Sequence, residues 1–468
     1  MYTDKSFKTT LGFRVFNTPL SLGNFINSPT QLLETPSQGN GNTGTLGILS
    51  ADIRGERATR WESFSRTFFI QNEYTSKTNL SLFSRVQYRE TGLSDRSYSY
   101  LTTDGNVVSR AIRAHYSNRI AGEILANYTL GEYQRLTGGI QFSQDNLELN
   151  YRGINPDNRV DTIDHIPVKD IYATFKPREY TIQNNTGIYV QYVLRSALLN
   201  KTNLTVGIRY DYNSVYGATI NPRLGVINQP NEKIVLKFLL GSAFRAPTNF
   251  ELYSTVPVRV SNPDLKPEKI RTYEFNFIYK PSEFFLLQTN LFENDLLDLI
   301  VADVPIGAGL IQNQNLGRAT IRGLEAKVDA IFSTSFSGFL NFTFQEGTQN
   351  NGVEDLDMAN IAKIKGNAGL SIHVAGLLCV SVIENFVEER SVPKTNPLGK
   401  VGDYFVTNLV ISTTKLFHNH VSASLNIRNL TDREYIDPGI RSADGNLFST
   451  VLEQPGINGF FKISVSLY

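Results

Sequence analysis

Apolar and polar residues alternate along much of this chain with a period of two, which is the spacing of a β-strand. The alternation is clearest over residues 203–212. One face of that segment carries Leu204, Val206, Ile208, Tyr210 and Tyr212, and the other carries Thr205, Gly207, Arg209 and Asp211. Each predicted strand therefore separates an apolar environment from a polar one, and the sheet that it belongs to has one apolar and one polar face.

The same pattern predicts roughly 18 strands. They cover residues 7–16, 61–74, 80–89, 107–130, 136–143, 186–195, 203–212, 221–227, 234–243, 270–280, 285–301, 310–331, 336–345, 367–374, 377–386, 404–413, 421–430 and 460–468. The connections between them alternate between short and long almost throughout. The long ones are predicted at residues 17–45, 90–105, 144–184, 245–269, 346–365, 387–402 and 431–459. Outer-membrane barrels sort their connections in this way, whereas a soluble sandwich has no reason to do so.

Composition supports a membrane barrel. The 22 Tyr and 29 Phe suit a pleated surface. No apolar run reaches the length of about 18 to 20 residues that a spanning helix needs. A closed barrel is the other shape that satisfies every backbone group in lipid. The predicted fold class is therefore all-β, a transmembrane antiparallel β-barrel.

The cost of burying charge predicts which face of each strand meets lipid. Arg209 on the lipid side at mid-membrane would cost about 2 to 4 kcal/mol, whereas in a polar lumen it costs little. Leu204, Val206, Ile208 and Tyr210 are therefore predicted to face lipid. The residues predicted to line the lumen are Arg209, Asp211, Glu274, Asn276, Glu325, Lys327, Ser422, Ser424, Asn426 and Arg428.

Five motifs in the C-terminal half then occur in a familiar order. They are Phe244-Arg245-Ala246-Pro247-Thr248 with Glu251-Leu252-Tyr253, Asn262-Pro263-Asp264-Leu265-Lys266-Pro267-Glu268, Asn315-Leu316-Gly317-Arg318-Ala319 leading to Gly323-Leu324-Glu325, Asn429-Leu430-Thr431-Asp432-Arg433-Glu434-Tyr435, and a last strand ending in Tyr468. In this order they resemble the signatures of TonB-dependent outer-membrane receptors. The resemblance covers roughly the C-terminal half, and the N-terminal half is supported by the strand pattern alone.

The resemblance implies a 22-stranded barrel in which an N-terminal plug with an energy-coupling box precedes the strands. A scarce nutrient such as a ferric siderophore, cobalamin or a glycan then binds between the plug and the outer loops. This sequence departs from that plan, because no plug-like segment precedes Phe7 and the strand count is about four short. We therefore expect residues 1–468 to form one receptor-like barrel, with the plug and possibly the first strands absent. The alternatives are a passive porin-like channel or a structural barrel.

The expected surroundings follow from the same resemblance. The partners are outer-membrane lipid and a small nutrient ligand, with a TonB-type energy-coupling protein only if a plug is supplied. The location is the outer membrane of a Gram-negative-type bacterium. Lys plus Arg is 45 against 44 for Asp plus Glu, so nucleic acid is not an expected partner.

Ligand contacts are expected from aromatic and cationic residues of the outer loops, because loops carry binding while the scaffold carries stability. The candidates are Tyr98, Tyr100, Tyr151, Arg152, Phe250, Tyr253, Arg259, Tyr435, Arg441 and Phe448. A second set matches the family motifs and is interpreted as structural. It comprises Phe244, Arg245, Pro247, Glu251, Asn262, Pro263, Lys266, Glu268, Gly323, Glu325, Asn429 and Tyr435.

No catalytic residue, cofactor or metal site is predicted. The sequence contains no nucleophile elbow, zinc-protease helix or P-loop. The single Cys379 excludes an internal disulfide and a Cys-based zinc site. Asp157, Asp161, Asp164 and His165 carry oxygen ligands for a hard cation, but their spacing fits no fixed template, so a solvated acidic loop is the favoured interpretation.

The C-terminal strand departs from the family pattern. Terminal strands of this family place the last aromatic residue in phase with the apolar face. Here Phe461, Ile463, Val465 and Leu467 alternate out of step with Tyr468.

Overall fold

The structure is a computed structural model of the chain. It describes residues 5–21, 60–76, 79–94, 98–104, 107–112, 115–148, 160–163, 166–171, 180–195, 201–253, 259–350, 352–374, 377–394, 396–416, 420–439 and 450–465. Strands dominate these residues. Among the residues described, no helix has the length and apolar character that crossing a membrane requires.

The strands follow one another along the chain with a single short helix among them. The first thirteen are β1 (Lys5–Ser21), β2 (Arg60–Ser76), β3 (Leu80–Leu93), β4 (Tyr98–Asp104), β5 (Val107–Ile112), β6 (His115–Leu130), β7 (Gln134–Glu148), β8 (Val160–Ile163), β9 (Ile166–Ile171), β10 (Tyr180–Leu194), β11 (Thr202–Asn213), β12 (Gly217–Asn231) and β13 (Ile234–Arg245) in the described part of the chain. The helix, α1 (Asn249–Tyr253), and fifteen more strands follow: β14 (Arg259–Val260), β15 (Glu268–Ser282), β16 (Phe285–Gly307), β17 (Leu310–Ser333), β18 (Phe336–Asn350), β19 (Asp355–Asp357), β20 (Ile364–Val374), β21 (Leu378–Val387), β22 (Arg390–Ser391), β23 (Lys400–Val401), β24 (Tyr404–Leu416), β25 (Val421–Arg428), β26 (Ile436–Pro438), β27 (Val451–Glu453) and β28 (Asn458–Val465).

Eighteen of these strands form one antiparallel meander, called the wall below. Within the described residues its order is β1-β2-β3-β6-β7-β10-β11-β12-β13-β15-β16-β17-β18-β20-β21-β24-β25-β28. Each wall strand pairs with the wall strand next to it in sequence. This agrees with the predicted number of strands, and each predicted strand overlaps a wall strand.

The wall has one apolar and one polar face, as the alternation predicts. On β11, Val206, Ile208 and Tyr210 are 46%, 50% and 41% exposed on one face. Arg209 lies on the other face, where it binds Asp211. The cross-strand register carries this parity from strand to strand, so the Ile208 side is the apolar face of the whole wall and the Arg209 side is the polar face.

The residues predicted to line a lumen all lie on the polar face by register. Asn276 pairs with Lys237, Glu325 with Asn290 and Ser424 with Lys462. The apolar face of the last strands carries Leu425 opposite Phe461. Tyr468 lies outside the described residues.

The two ends of the wall differ in the connections they carry. One end has tight turns such as residues 131–133, where Gly131 takes a φ of +63°. The other end, called the long-loop end, carries the connections through residues 94–114, 149–179, 246–267 and 429–457. Two of its connections are short, residues 214–216 and residues 308–309. The second of these connects β16 and β17, which are 23 and 24 residues long.

Several strands extend further than predicted, and some predicted loops contain strands. Residues 90–105 were predicted to be a polar connection, but β3 continues to Leu93 and β4 begins at Tyr98. The segment at residues 107–130, predicted as one long or broken strand, is broken into β5 and β6. These extra strands pair with one another, β4 with β5 and β8 with β9. Long loops gain such ladders because their backbone groups need hydrogen-bond partners.

Candidate functional site

Arg245 anchors the connection between β13 and β15, residues 246–267, which is called the signature loop below. It is the last residue of β13, and its Nη1 and Nη2 donate to the two carboxylate oxygens of Glu251 at 3.0 Å each. Its Nε donates to Glu268, the first residue of β15. The other Glu268 oxygen accepts the backbone N–H of Ile300 at 2.8 Å. These charged bonds to Glu268 and Glu251 raise the pKa of Arg245.

The short helix α1 begins with a capping box, which the loop prediction missed. The Thr248 backbone N–H donates to Glu251 Oε2 at 2.7 Å, and the Glu251 N–H donates to Thr248 Oγ1 at 3.2 Å. This reciprocal pairing satisfies two amide groups at the helix start. Partial burial raises the pKa of Glu251, but the bonds from Arg245 and Thr248 outweigh it and hold that pKa below its usual value.

Asparagines fasten the segment after the helix to β17. Asn262 Nδ2 donates to the carbonyl of Asn313 at 2.8 Å, and Asn313 Nδ2 donates to the carbonyl of Glu251 at 3.0 Å. Asn315 exchanges two bonds with the backbone of Lys266, at 2.8 and 2.9 Å. Leu252 and Leu265 are 0% and 1% exposed beneath these bonds. The motif residues thus meet in one packed knot, although they come from three separate stretches of sequence.

Asn429 organises a second turn at the same end, just after β25. Its side chain accepts the N–H of Arg433 at 2.9 Å and donates to the carbonyl of the same residue at 2.8 Å. It is 1% exposed and has a φ of +51°. Asp432 follows in the same left-handed conformation and accepts the N–H of Ile457 at 2.7 Å. Asn and Asp are the non-glycine residues that best tolerate this conformation.

A buried arginine joins the loop before β24 to the loop after β25. The Arg390 side chain is 9% exposed, and its Nη1 donates to Asp437 Oδ1 at 2.7 Å. Its guanidinium lies over the Tyr404 ring at 5.4 Å. Tyr404 in turn packs on Tyr435 with ring centroids 4.7 Å apart. This Arg390 cluster links β22, β24 and β26.

Of the ten predicted ligand-contact residues, two have side chains that the structure describes. Tyr253 ends α1 and is half-buried. Tyr435 belongs to the Arg390 cluster. Tyr98, Tyr100, Phe250 and Arg259 lie in described backbone, in β4, α1 and β14, but their side chains are outside the described set. Tyr151, Arg152, Arg441 and Phe448 lie outside the described residues, as do the side chains of Asp157, Asp161, Asp164 and His165.

The polar face of the wall carries more basic than acidic side chains. In the register of the described strands, fourteen Lys or Arg lie on it: Lys8, Arg14, Arg85, Arg89, Arg119, Arg135, Arg209, Arg223, Lys237, Arg245, Lys327, Lys365, Arg428 and Lys462. Eight Asp or Glu share that face: Glu73, Glu123, Asp145, Asp211, Glu268, Glu274, Glu325 and Asp329. The difference is six positive charges, whereas the whole chain has a formal charge of +1. Positive charge is therefore concentrated on this face.

A cavity of about 350 Å³ opens on the polar face of β3, β6, β7, β10 and β11. Arg85, Arg119 and Arg209 line it, together with Glu123 and Asp211. Arg209 Nη2 also donates to Gln141 at 2.8 Å, and Gln141 donates to Glu123 at 2.7 Å. Apart from Arg209 and Asp211, the sequence pattern did not single out these residues. The placement of charged residues in the polar phase of each strand was the available signal, but the register that brings the strands together was not visible.

The family of the chain follows from comparison with known proteins. The family model described as "TonB dependent receptor-like, beta-barrel" matches residues 2–430. The chain belongs to this family. The described residues of β1 to β25 fall within the match. The wall strands are accordingly the strands of a TonB-dependent receptor barrel, and the polar face of the wall is turned to the lumen.

Solved receptors share the fold of this TonB-dependent receptor barrel. The ferric enterobactin receptor of Pseudomonas aeruginosa aligns with a TM-score of 0.68 and 14% identity, over 99% of this chain and 68% of that one. The ferric-catecholate import receptor Fiu of Escherichia coli aligns with a TM-score of 0.62 and 14% identity, over 98% and 72%. At this identity the likeness concerns the fold alone.

Curated relatives are also TonB-dependent receptors. The chain is 22% identical over 352 residues to the ferrienterobactin receptor of Escherichia coli K12, covering 67% of this chain and 45% of the relative. It is 25% identical over 246 residues to the vitamin B12 transporter BtuB of Vibrio vulnificus, covering 52% and 38%. The chain thus spans less than half the length of these relatives.

Proposed function

We propose that this barrel belongs to an outer-membrane receptor that takes up a scarce nutrient, such as a ferric siderophore or cobalamin, with energy supplied from the inner membrane. The family match supports a receptor barrel. The names of the relatives, one for ferrienterobactin and one for vitamin B12, supply the substrate classes. The barrel itself has no catalytic part in this proposal, because uptake needs binding and passage, not bond cleavage.

The observation that carries the membrane location is the two-sided wall. Large apolar side chains such as Ile124, Ile140 and Ile208 are 62%, 56% and 50% exposed on one face. A water-soluble monomer rarely presents so large a contiguous apolar surface. In the outer membrane of a Gram-negative bacterium this surface would meet hydrocarbon, and the tight-turn end would face the periplasm.

The ligand is proposed to bind at the long-loop end, where Tyr253 lies in the signature loop and Tyr435 in the Arg390 cluster. Aromatic rings carry large contact area at low entropic cost, which suits ligand capture by loops. The motif residues Arg245, Glu251 and Glu268 are proposed to hold the loops in place without touching the ligand. A plug domain and a TonB-type partner are expected where the receptor is complete.

Uptake in living cells tests this function. A receptor carrying this barrel would be produced in a strain that lacks its own receptors, and uptake of 55Fe-siderophores and labelled cobalamin would be measured. We expect saturable uptake of one of these that stops when a protonophore removes the energy of the inner membrane. Uptake insensitive to the protonophore, with a large steady conductance in planar bilayers, would support a passive channel instead.

A variant pair separates ligand contact from loop stability. Tyr435→Ala removes a proposed contact ring and is expected to weaken uptake about tenfold or more, the usual effect of losing an aromatic anchor. Asp437→Asn disturbs the same Arg390 cluster but keeps the Tyr435 ring, so it serves as the matched control and should weaken uptake much less. Equal uptake by Tyr435→Ala and the parent would remove Tyr435 from the contact set.

A further inference from the structure

Arginines are concentrated on the lumen face of the first strands of the wall. Arg14, Arg89 and Arg119 share one cross-strand row, in which Thr67 lies between the first two. Arg89 and Arg119 are direct register partners. Like charges placed directly opposite each other destabilise a sheet unless something of opposite charge lies between them.

A second row brings Arg85 beneath this one. The Arg85 guanidinium lies over the Phe69 ring at 4.6 Å, and that of Arg14 lies over the same ring at 5.6 Å. Phe69 is 8% exposed, so two cations share one buried ring. The residues between the rows include Ala121 and Ser143, whose small side chains leave the 350 Å³ cavity open.

The carboxylates of this region compensate the arginines only in part. Asp145 approaches Arg119 at 3.5 Å. Glu123, the register partner of Arg85, accepts a hydrogen bond from Gln141. In the part of the chain that the structure describes, no carboxylate lies within ion-pair distance of Arg14, Arg85 or Arg89, and the buried Arg85 Nε has no hydrogen-bond partner. A buried donor without a partner is costly, and the same arginine lines the cavity.

We propose that this cavity binds a multivalent oxygen-rich anion, such as a solute carrying phosphate, carboxylate, sulfonate or catecholate groups. The planar fork of an arginine matches such oxygens in pairs, and Arg85 and Arg119 would donate from two sides. Arg14 and Arg89 add long-range attraction in a confined lumen. The site lies on the wall, and Phe244, the residue before Arg245, also lines it.

A role for this site in transport rests on the proposed function, because the anion would be the nutrient, or the carrier of the nutrient, that passes along the lumen. An electropositive lumen wall favours an anionic solute over a neutral one. The nutrient class would then be an anionic chelate, not a neutral cofactor.

Direct binding to the refolded chain tests the site. The full chain in nonionic detergent micelles would be titrated with 8-hydroxypyrene-1,3,6-trisulfonate at low salt, with fluorescence anisotropy as the readout and tripolyphosphate as competitor. We expect saturable binding that weakens as salt rises and is displaced by tripolyphosphate. A cationic dye of similar size should not bind.

Two variants move the affinity in opposite directions. The double substitution Arg85→Gln with Arg119→Gln should weaken binding about a hundredfold, about tenfold for each charged bond lost. Glu123→Gln removes one negative charge while keeping a hydrogen-bond acceptor for Gln141, and it should tighten binding several-fold. Arg66→Gln is the matched control, because Arg66 lies on the apolar face of β2 beside Thr67.

The outcomes separate this proposal from the proposed function. Absence of salt-dependent binding, a Glu123→Gln variant that fails to tighten it, or equal loss in Arg66→Gln would each overturn the anion site. If the double variant refolds poorly, the Glu123→Gln result decides alone. Anion binding without energy-dependent uptake would leave the site standing and remove the receptor function, and uptake without anion binding would do the reverse.

Discussion

At the scale of single residues, a few buried polar side chains hold the long-loop end together. Asn429 and Asn213 are 1% and 2% exposed, and each makes hydrogen bonds to the backbone of a turn. Arg390 is the one charged group among them with a cation–aromatic stack and a carboxylate partner described for it. Each such group stabilises the fold only while its hydrogen-bond or ion-pair partner is present, because a buried polar group without a partner is destabilising.

Asp437→Asn should therefore destabilise the loop before β24 and the loop after β25. The substitution leaves the Arg390 guanidinium buried without its counter-charge, at a cost of about 2 kcal/mol, since hydrogen bonds to charged groups contribute about 1.5 to 3 kcal/mol. Hydrogen exchange of the β22–β23 and β26–β27 amides would show faster opening. Glu354→Gln breaks the well-exposed pair with Lys394 and should change exchange little. Equal protection in both variants would contradict the role given to Arg390.

Acid should loosen the signature loop through Glu251. Its pKa is held below the usual value of 4.5, so the charged form is favoured in the folded loop. The stabilisation is present above the unfolded pKa and is lost as pH falls through the lower folded value. Relative to the exchange rate of an unprotected amide at the same pH, we expect the protection of the 248–252 amides to fall as pH drops below 4.5 in the parent but to be low at every pH in Glu251→Gln. A parent loop equally protected at pH 3 and pH 6 would refute this.

At the scale of elements, strand contacts depend on positions where no side chain fits. Gly323, in β17, has the carbonyl oxygen of Phe344 directly above its Cα, so that an added Cβ would meet backbone. Gly241, in β13, has open space at the same position. The motif glycine is thus required by close approach of β18, and not by a left-handed backbone.

Gly323→Ala should lower stability by about 1 to 3 kcal/mol, because overpacking against backbone forces the strands apart. Gly241→Ala is the matched control and should be tolerated. The folded fraction after refolding into micelles, followed by heat-dependent electrophoretic mobility across a urea series, measures both. A Gly323→Ala barrel as stable as Gly241→Ala would show that β18 can shift without cost.

The elements were largely predictable from sequence, whereas the contacts at the site were not. The period-two pattern located β11 to within one residue at each end, because lipid and lumen impose opposite demands on alternate side chains. It missed α1, since a helix of five residues has no periodicity to detect. It also missed the Arg85 and Arg119 cavity, which depends on β3, β6 and β7 lying side by side. The fastening of Asn262 to Asn313 likewise spans 51 residues of sequence.

At the scale of the whole molecule, the chain is organised by the difference between its two faces. Charged residues do occur on the apolar face, but Glu293, Arg322 and Glu346 lie together in one cross-strand row. The adjoining row, one step farther from the long-loop end, is Phe238, Phe275, Leu291, Leu324 and Phe344. The change from aromatic to charged within one step is what an edge of the hydrocarbon layer would produce.

Ile208→Arg should therefore be far more costly than Thr205→Arg. Ile208 lies on the apolar face in mid-strand, where an arginine in lipid costs about 2 to 4 kcal/mol, whereas Thr205 lies on the lumen face of the same strand. Reversible unfolding of barrels inserted into phospholipid vesicles would measure the difference. Similar free energies for the two variants would contradict the assignment of faces.

The length of β16 and β17 has a practical consequence. β16 has 23 residues where its neighbour β15 has 15, so the hairpin extends about 25 Å beyond the rim at about 3.3 Å per residue. Its tip, Ala308 and Gly309, is a two-residue turn with both φ angles positive. Because β14 pairs with β17 at Ile311 and Gln312, the hairpin is held from one side almost to its tip. An epitope grafted at the tip would therefore be displayed in a fixed orientation to antibodies at the long-loop end.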